Sequence, residues 1–296
     1  MLRGVKPEKV EKRLKALFYG AAGVGKTTAA IHFPKPYIID TERGAENDEY
    51  VDLIKIGDGA ILQTNDFDDV LNEVKTLLTT KNHGYKTLII DSLTVVYQDL
   101  CDKWALKLTT RDKNGELKGD GTEFQRHRDK ADTQIKHLLR LITRLDMNVI
   151  ITSHGKTKWA KEGEKLIDLG QTFDCYKKLD HYFDLVFEVQ KRGNGRVGIV
   201  TKTRVKGFKD SDTFNFSYDQ ISKMYGKEHI EKDSVPEILA TEDQVKELKK
   251  LIELLKVDND VVQKWLDKSE SETFDEMNSS IIQKCIDSLK SKINEN

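Results

Sequence analysis

Residues 20–28 read Gly20-Ala21-Ala22-Gly23-Val24-Gly25-Lys26-Thr27-Thr28, a match to the phosphate-loop pattern G-x-x-x-x-G-K-[ST]. The run Leu14-Lys15-Ala16-Leu17-Phe18-Tyr19 before it has the composition of a buried strand, and residues 27–33 after it begin a helix. Strand, glycine-rich loop and helix start, in that order, are the context in which the pattern holds phosphate. Gly20, Gly23 and Gly25 let successive N–H groups turn inward, so the backbone from Gly20 to Thr28 forms the cradle. In such a loop Lys26 reaches the β- and γ-phosphates, and the Thr27 hydroxyl holds Mg²⁺.

The chain of 296 residues has room for one large α/β domain and a smaller one. Its hydrophobic content of 38% and charged content of 33% suit a folded protein with a solvated surface. No run approaches the roughly 18 apolar residues of a membrane helix. The N-terminus lacks an apolar signal core, which places the expected location in the cytoplasm. Cys101, Cys175 and Cys285 lie too far apart in sequence to suggest a metal or redox pair. The net charge of −1 means that any attraction to nucleic acid must be local or built by assembling subunits.

From about 14 to 217, short apolar runs alternate with longer amphipathic ones, the pattern of a parallel sheet with crossover helices. The expected strands are 16–19, 36–40, 87–91 and 148–152, and the expected helices 26–33, 67–79, 93–108 and 123–145. Beyond residue 180 the β-rich runs 183–189 and 197–202 flank Gly193-Asn194-Gly195, a hairpin signal, and 214–218 supplies a further strand. The sheet is expected to begin parallel and finish antiparallel. Residues 1–218 therefore form the α/β core, 219–240 a connector, and 241–296 a small all-helical domain. Capping boxes are expected at Thr241/Gln244 and Ser269/Glu272. Nine Lys and Arg against thirteen Asp and Glu make 241–296 acidic, better suited to a protein contact than to DNA.

Thr87-Leu88-Ile89-Ile90-Asp91-Ser92 is an apolar strand ending in a carboxylate at the edge where the phosphate loop opens. Asp91 either assists Thr27 in holding Mg²⁺ or caps the helix that follows. Tyr37-Ile38-Ile39-Asp40-Thr41-Glu42 ends in a second carboxylate. In one branch of phosphate-loop proteins a Glu here aligns the attacking water; the alternative is a solvated loop carboxylate. Asn148-Val149-Ile150-Ile151-Thr152-Ser153-His154 ends in an imidazole that either donates to phosphate or is satisfied locally. Val200-Thr201-Lys202-Thr203-Arg204 carries two cations at i and i+2, which share a strand face. They either serve a phosphate or blunt a sheet edge.

The I-D-x-E and D-S strand ends, His154 and the Lys202/Arg204 pair together resemble the RecA-like ATPase core, and most nearly the phage single-strand annealing recombinases of the Sak branch. Where those proteins commonly carry Gln, this chain has His154. The resemblance implies a mixed, mainly parallel RecA-like core. It also implies a DNA-stimulated ATPase using ATP and Mg²⁺, and a homo-oligomeric ring or filament on single-stranded DNA. His154 takes the place of the γ-phosphate sensor, and Lys202 and Arg204 would neutralise the neighbouring subunit's ATP. Two loops would face DNA. One is the Gly-bearing insertion 109–122 with Arg111 and Lys113. The other follows His154, with Lys156, Lys158 and Lys161 around Trp159. Such a combination suits single strands, although Trp159 could instead pack in a subunit interface. The helical tail would meet a single-strand-binding or other recombination protein. A ring helicase or helicase loader shares nearly all of these motifs. A nucleotide-dependent protein switch with no DNA role is the alternative from another class.

Overall fold

Lys15–Gly20, the strand expected ahead of the phosphate loop, is buried along its whole length. It is the reference strand of a computed structural model that describes residues 13–44, 48–111, 116–163 and 165–294. In chain order the elements are β1 (Lys15–Gly20), α1 (Lys26–Ile31), β2 (Pro36–Asp40), α2 (Asp48–Ile56), β3 (Ala60–Gln63), α3 (Phe67–Thr79), β4 (Thr87–Asp91) and α4 (Leu93–Leu108). There follow β5 (Thr110–Arg111), β6 (Leu117–Gly119), α5 (Arg126–Arg144), β7 (Asn148–Glu162), β8 (Lys165–Phe173), β9 (Leu185–Arg192), β10 (Gly195–Thr203) and β11 (Thr213–Asn215). The last are α6 (Tyr218–Tyr225), α7 (Lys227–Ile230), α8 (Glu242–Leu254), α9 (Asn259–Lys268) and α10 (Ser279–Asn294).

Backbone contacts divide the described chain into two units. The first comprises the chain up to Asn65, Gly84–Gln98 and Met147–Ser234; the second comprises Asp66–His83, Asp99–Asp146 and the chain from Val235. The first unit holds a sheet of order β11-β10-β9-β1-β7-β4-β2-β3, with β8 paired to β7. β9, β1, β7, β4, β2 and β3 run parallel, β10 pairs antiparallel with β9, and β11 pairs antiparallel with β10. The sheet is thus mixed and mainly parallel, as its apolar runs imply: parallel strands covered on both faces carry continuous hydrophobic sequence. Ala60–Gln63, a short strand with no marked alternation, was not among the expected ones. Phe18 lies 5.8 Å from Phe187 and 5.0 Å from Phe216, ring centre to ring centre, at the heart of the core.

Several local expectations differ from the structure. The strand beginning at Asn148 runs on to Glu162 because β8 folds back and pairs with it. The strand near 214 ends at Asn215, since Ser217 caps α6 by accepting from the Gln220 N–H. Residues 219–240 carry most of α6 and all of α7, and Ile221 and Ile230 are buried in the sheet's core.

In the second unit, Asp66 caps α3 by accepting from the Asp68 and Asp69 N–H groups. The Thr241/Gln244 capping box forms; the Ser269/Glu272 box does not. Ser269 instead ends α9, its hydroxyl donating to the Trp265 and Leu266 carbonyls, and the next turn is a 3₁₀ segment, Phe274–Glu276. Leu248, Leu251, Met277, Ile282, Ile286 and Leu289 are buried together.

Glu276, 2% exposed, ties these helices to α3 and α5. It accepts from Lys75 Nζ at 2.7 Å and pairs with His137 Nε2 at 2.9 Å. Arg144 donates to the Glu276 carbonyl at 2.8 Å and pairs with Glu237 at 3.0 Å. Burial alone would raise the Glu276 carboxyl, but bonds from His137, Lys75 and the Glu272 N–H outweigh it and hold the carboxyl at about 2. A depressed carboxyl stabilises the fold above its unfolded value of about 4.3 and loses that contribution as pH falls toward 2. Glu276→Gln is therefore expected to cost about 3 kcal/mol in denaturant unfolding at neutral pH. The gap from wild type should close on acidification below about pH 4. Equal stabilities at neutral pH would show that the network is not stabilising.

Candidate nucleotide site

The parallel register brings the ends of β1, β2 and β4 to one edge, where β7 passes through. Gly20 is level with His154, and Asp40 with Asp91. Open α/β sheets place ligands at this carboxyl edge. Gly20 has φ +150°, and a Cβ there would stand 2.3 Å from the Val189 carbonyl oxygen. Gly25 has φ +92° and sits beneath Arg196, whose Nε would be 3.2 Å from a Cβ at that position. Gly25 precedes α1 with no side-chain cap, so no side chain competes for the N–H groups at its start.

Lys26 is buried, and its ammonium donates to the Gly20 and Ala21 carbonyls at 3.0 and 2.8 Å. Burial pushes its pKa down, while the Asp91 and Glu42 carboxylates pull it back up. Thr27 Oγ1 donates to Asp91 Oδ2 at 2.6 Å, and the Thr152 hydroxyl donates to Asp91 Oδ1. Burial lifts the Asp91 carboxyl above its usual range despite both hydroxyls. Its ionised form is the one a neighbouring cation would favour. One carboxylate beside one hydroxyl, with phosphates and water completing the shell, fits Mg²⁺. Among the described residues no cluster of three His, Cys, Asp or Glu side chains offers an all-protein metal site.

Glu42 is held from two strands. Its Oε1 accepts from Ser92 Oγ at 2.5 Å and from His154 Nε2 at 2.6 Å. Because a carboxylate only accepts, His154 carries its proton on Nε2 in this contact. Burial would raise the Glu42 carboxyl, but the Ser92 and His154 bonds, His154's charge and Lys26 bring it below the usual range. Thr41 fixes the strand ends: its hydroxyl donates to the Ser92 carbonyl at 2.9 Å and accepts from the Ser92 N–H at 2.8 Å. Thr94 Oγ1 accepts from the His154 N–H at 3.0 Å and lies 2.9 Å from Ser153 Oγ. The result is a positioned, ionised carboxylate close enough to Lys26 to feel its charge.

Beside Gly23 and Gly25 opens a cavity of about 500 Å³, lined by Thr28, Ala29, His32, Tyr50, Asn194, Arg196, Phe216, Ser217, Tyr218 and Asp219 as well. It has an aromatic wall and several polar groups, the composition of a small-molecule site.

Lys202 and Arg204 stand together elsewhere. The Lys202 ammonium donates to the Asp180 carbonyl, and Arg204 donates to the His181 carbonyl at 3.1 Å and pairs with Asp184 at 3.5 Å. Burial and the Arg204 charge lower the Lys202 pKa, with Asp180 and Asp184 opposing. Arg204 lies just past the end of β10, after a register shift between Val200 and Lys202.

The segment after His154 is not a loop. Lys156, Lys158, Trp159 and Lys161 belong to β7, which continues from the site into an antiparallel arm with β8. All four are exposed, Trp159 by 58%, and Lys156 pairs with Asp174 at 2.8 Å. The insertion after α4 forms the β5–β6 ribbon; Arg111 ends β5, and Lys113 lies outside the described residues.

A family model described as an AAA domain, AAA_24, matches residues 12–214. The chain belongs to this family. Its AAA domain spans the phosphate loop, both carboxylate strands, His154 and the Lys202/Arg204 pair, and α8–α10 lie outside it. No curated protein matches the chain. Solved structures similar to it include the RadB recombinase, at 16% identity over 68% of this chain and 84% of that one, with a TM-score of 0.41. Another is an ATPase from the type III secretion system of pathogenic bacteria, at 13% identity over 95% and 81%, with a TM-score of 0.39.

Within the AAA domain, Thr152 on Asp91 and Ser92 on Glu42 are among the site contacts that no motif assigned. Each hydroxyl ends or borders an apolar strand, which was the available signal. The cavity residues outside the loop had none, being scattered from Ala29 to Asp219.

Proposed function

We propose that the chain binds and hydrolyses ATP with Mg²⁺, assembles on single-stranded DNA and promotes pairing of complementary strands. The observation that carries this reading is the Glu42–Ser92–His154 cluster beside Lys26. His154 belongs to the strand that continues outward to Trp159. The loop N–H groups and Lys26 would hold the triphosphate, and the aromatic cavity the base and ribose. Thr27 and Asp91 would hold Mg²⁺, which supplies charge neutralisation at the phosphates when bound. Glu42, ionised and with Oε1 already engaged, aligns water through its other oxygen and accepts the water's proton.

His154 senses the site by its bond to Glu42. A shift in that bond moves the strand bearing Lys156, Lys158, Trp159 and Lys161, which contact DNA. Arg111 and Lys113 belong to a second DNA contact, and Lys202 and Arg204 reach the ATP of a neighbouring copy in a ring or filament. Residues 1–218 act as the ATPase core, to which 219–240 adds the buried Ile221 and Ile230. The helices of 241–296 meet a recombination partner.

Salt-titrated binding to oligo(dT), with and without a non-hydrolysable ATP analogue, tests the DNA reading. ATP-dependent affinity should fall steeply with salt, and Trp159→Ala should weaken it about 5- to 100-fold. Nucleotide binding with no oligonucleotide binding at any salt concentration would leave a protein switch instead. Unwinding of a forked duplex rather than annealing would point to a helicase.

A further inference from the structure

Phe124 is 90% exposed, and it and Gln125 have φ of +54° and +60°. Bulky side chains rarely adopt this left-handed backbone, and such conformations collect at ligand-binding segments. The turn is fastened beneath the ring. The Gly121 N–H donates to Thr109 Oγ1 at 3.2 Å, and a Cβ on Gly121 would meet the Ala105 carbonyl at 1.8 Å, so the chain lies directly on the end of α4. Asp120 accepts from the Thr122 N–H through its side chain at 2.9 Å and from the Glu123 N–H through its carbonyl at 3.1 Å. An anchored turn thus holds a phenyl ring in water.

Cations follow the turn, interspersed with Asp120, Glu123 and Asp129. Arg126, Arg128 and Lys130 follow within two turns and are exposed. Lys130 and Lys107 flank the Trp104 ring at 5.9 and 5.0 Å. Arg126 and Lys130, four residues apart, share a helix face. Residues 107–130 hold seven Lys and Arg against five Asp and Glu, in a chain whose net charge is −1. An exposed ring with cations beside it suits bases that stack and phosphates that follow.

We propose that Phe124 is a stacking platform for a base of single-stranded nucleic acid, with Arg126 and Lys130 taking the adjacent phosphates. This rests on the DNA reading above and adds a contact that no motif in the chain marks.

The test is anisotropy of fluorescein-labelled oligo(dT) with the full chain. Phe124→Ala should weaken binding about 5- to 100-fold while Phe124→Trp retains it. The Arg126→Ala/Lys130→Ala variant should reduce the salt slope by about 1.4. Because the ring is exposed, ATP hydrolysis without DNA should be unchanged, which confirms an intact fold. If wild type binds, Trp159→Ala weakens binding and Phe124→Ala does not, the platform is wrong and the DNA reading stands. If wild type binds no oligo(dT), the DNA reading fails and the platform with it. If Phe124→Ala leaves DNA affinity intact but dissociates an oligomer in sedimentation, the ring is a protein contact and the proposal is overturned.

Discussion

Lys26→Ala is expected to abolish measurable ATP turnover, lowering hydrolysis by at least about 10²- to 10³-fold. The ammonium already points into the cradle, bonded to the Gly20 and Ala21 carbonyls. Its transfer from these carbonyls to phosphate oxygens replaces neutral acceptors by charged ones, which bond more strongly. Charge developing on the transferred phosphoryl group would have no fixed cation from the loop once Lys26 is gone. Nucleotide affinity should fall as well, by roughly 10- to 100-fold, the worth of charge-assisted hydrogen bonds. Both losses are read from fluorescent-nucleotide binding and phosphate release. The same variant tests whether sites are shared. Mixed with Lys202→Ala/Arg204→Ala subunits, each inactive alone, it should recover part of the activity, because some interfaces then combine an intact Lys26 with an intact cation pair. If the variant hydrolyses ATP as wild type does, the phosphate-loop assignment fails. If the mixture stays inactive while the two variants still assemble together, the cations act elsewhere.

Glu42→Gln is expected to bind ATP normally and hydrolyse it about 10²- to 10⁴-fold more slowly, the contribution of a positioned general base. The amide is close to isosteric and still offers Oε1 to Ser92 and His154, so the local geometry is kept while the proton acceptor is lost. The pH dependence adds a second reading. The Ser92 and His154 bonds keep the Glu42 carboxyl below its ordinary range. Its ionised form therefore persists from neutral pH through mild acid, and the hydrolysis rate should decline only below about pH 4.3. Ser92→Ala removes one of the donors, so the acid limb should move to higher pH. A limb that does not move would mean that another group controls it. An unchanged turnover in Glu42→Gln would reassign the carboxylate to structure.

Much of the site was legible in the sequence because the informative residues are contiguous. A nine-residue loop needs no knowledge of its neighbours to be read, and apolar strands announce themselves by composition when both faces are covered. Asp91 and Glu42 could be named because each closes such a run. The departures have local physical causes. The segment at 155–161 reads as a lysine-bearing loop, yet it is strand because β8 supplies backbone partners. Ser269 has the chemistry of an N-cap, but α9 reaches it from the other side and uses it as a C-cap.

The sequence by itself determined the phosphate loop, the two strand-end carboxylates and the mixed, mainly parallel character of the sheet. Backbone conformation and composition express these within a few residues. Only the tertiary structure decided that Ser92 and His154, 50 and 112 residues from Glu42, converge on one of its oxygens. The same holds for Thr152, which shares Asp91 with Thr27, and for the aromatic wall that gathers beside Gly25. The reason is strand order. β7 lies between β1 and β4, and that neighbour relation is set by packing across the whole sheet, so no local stretch of chain encodes it.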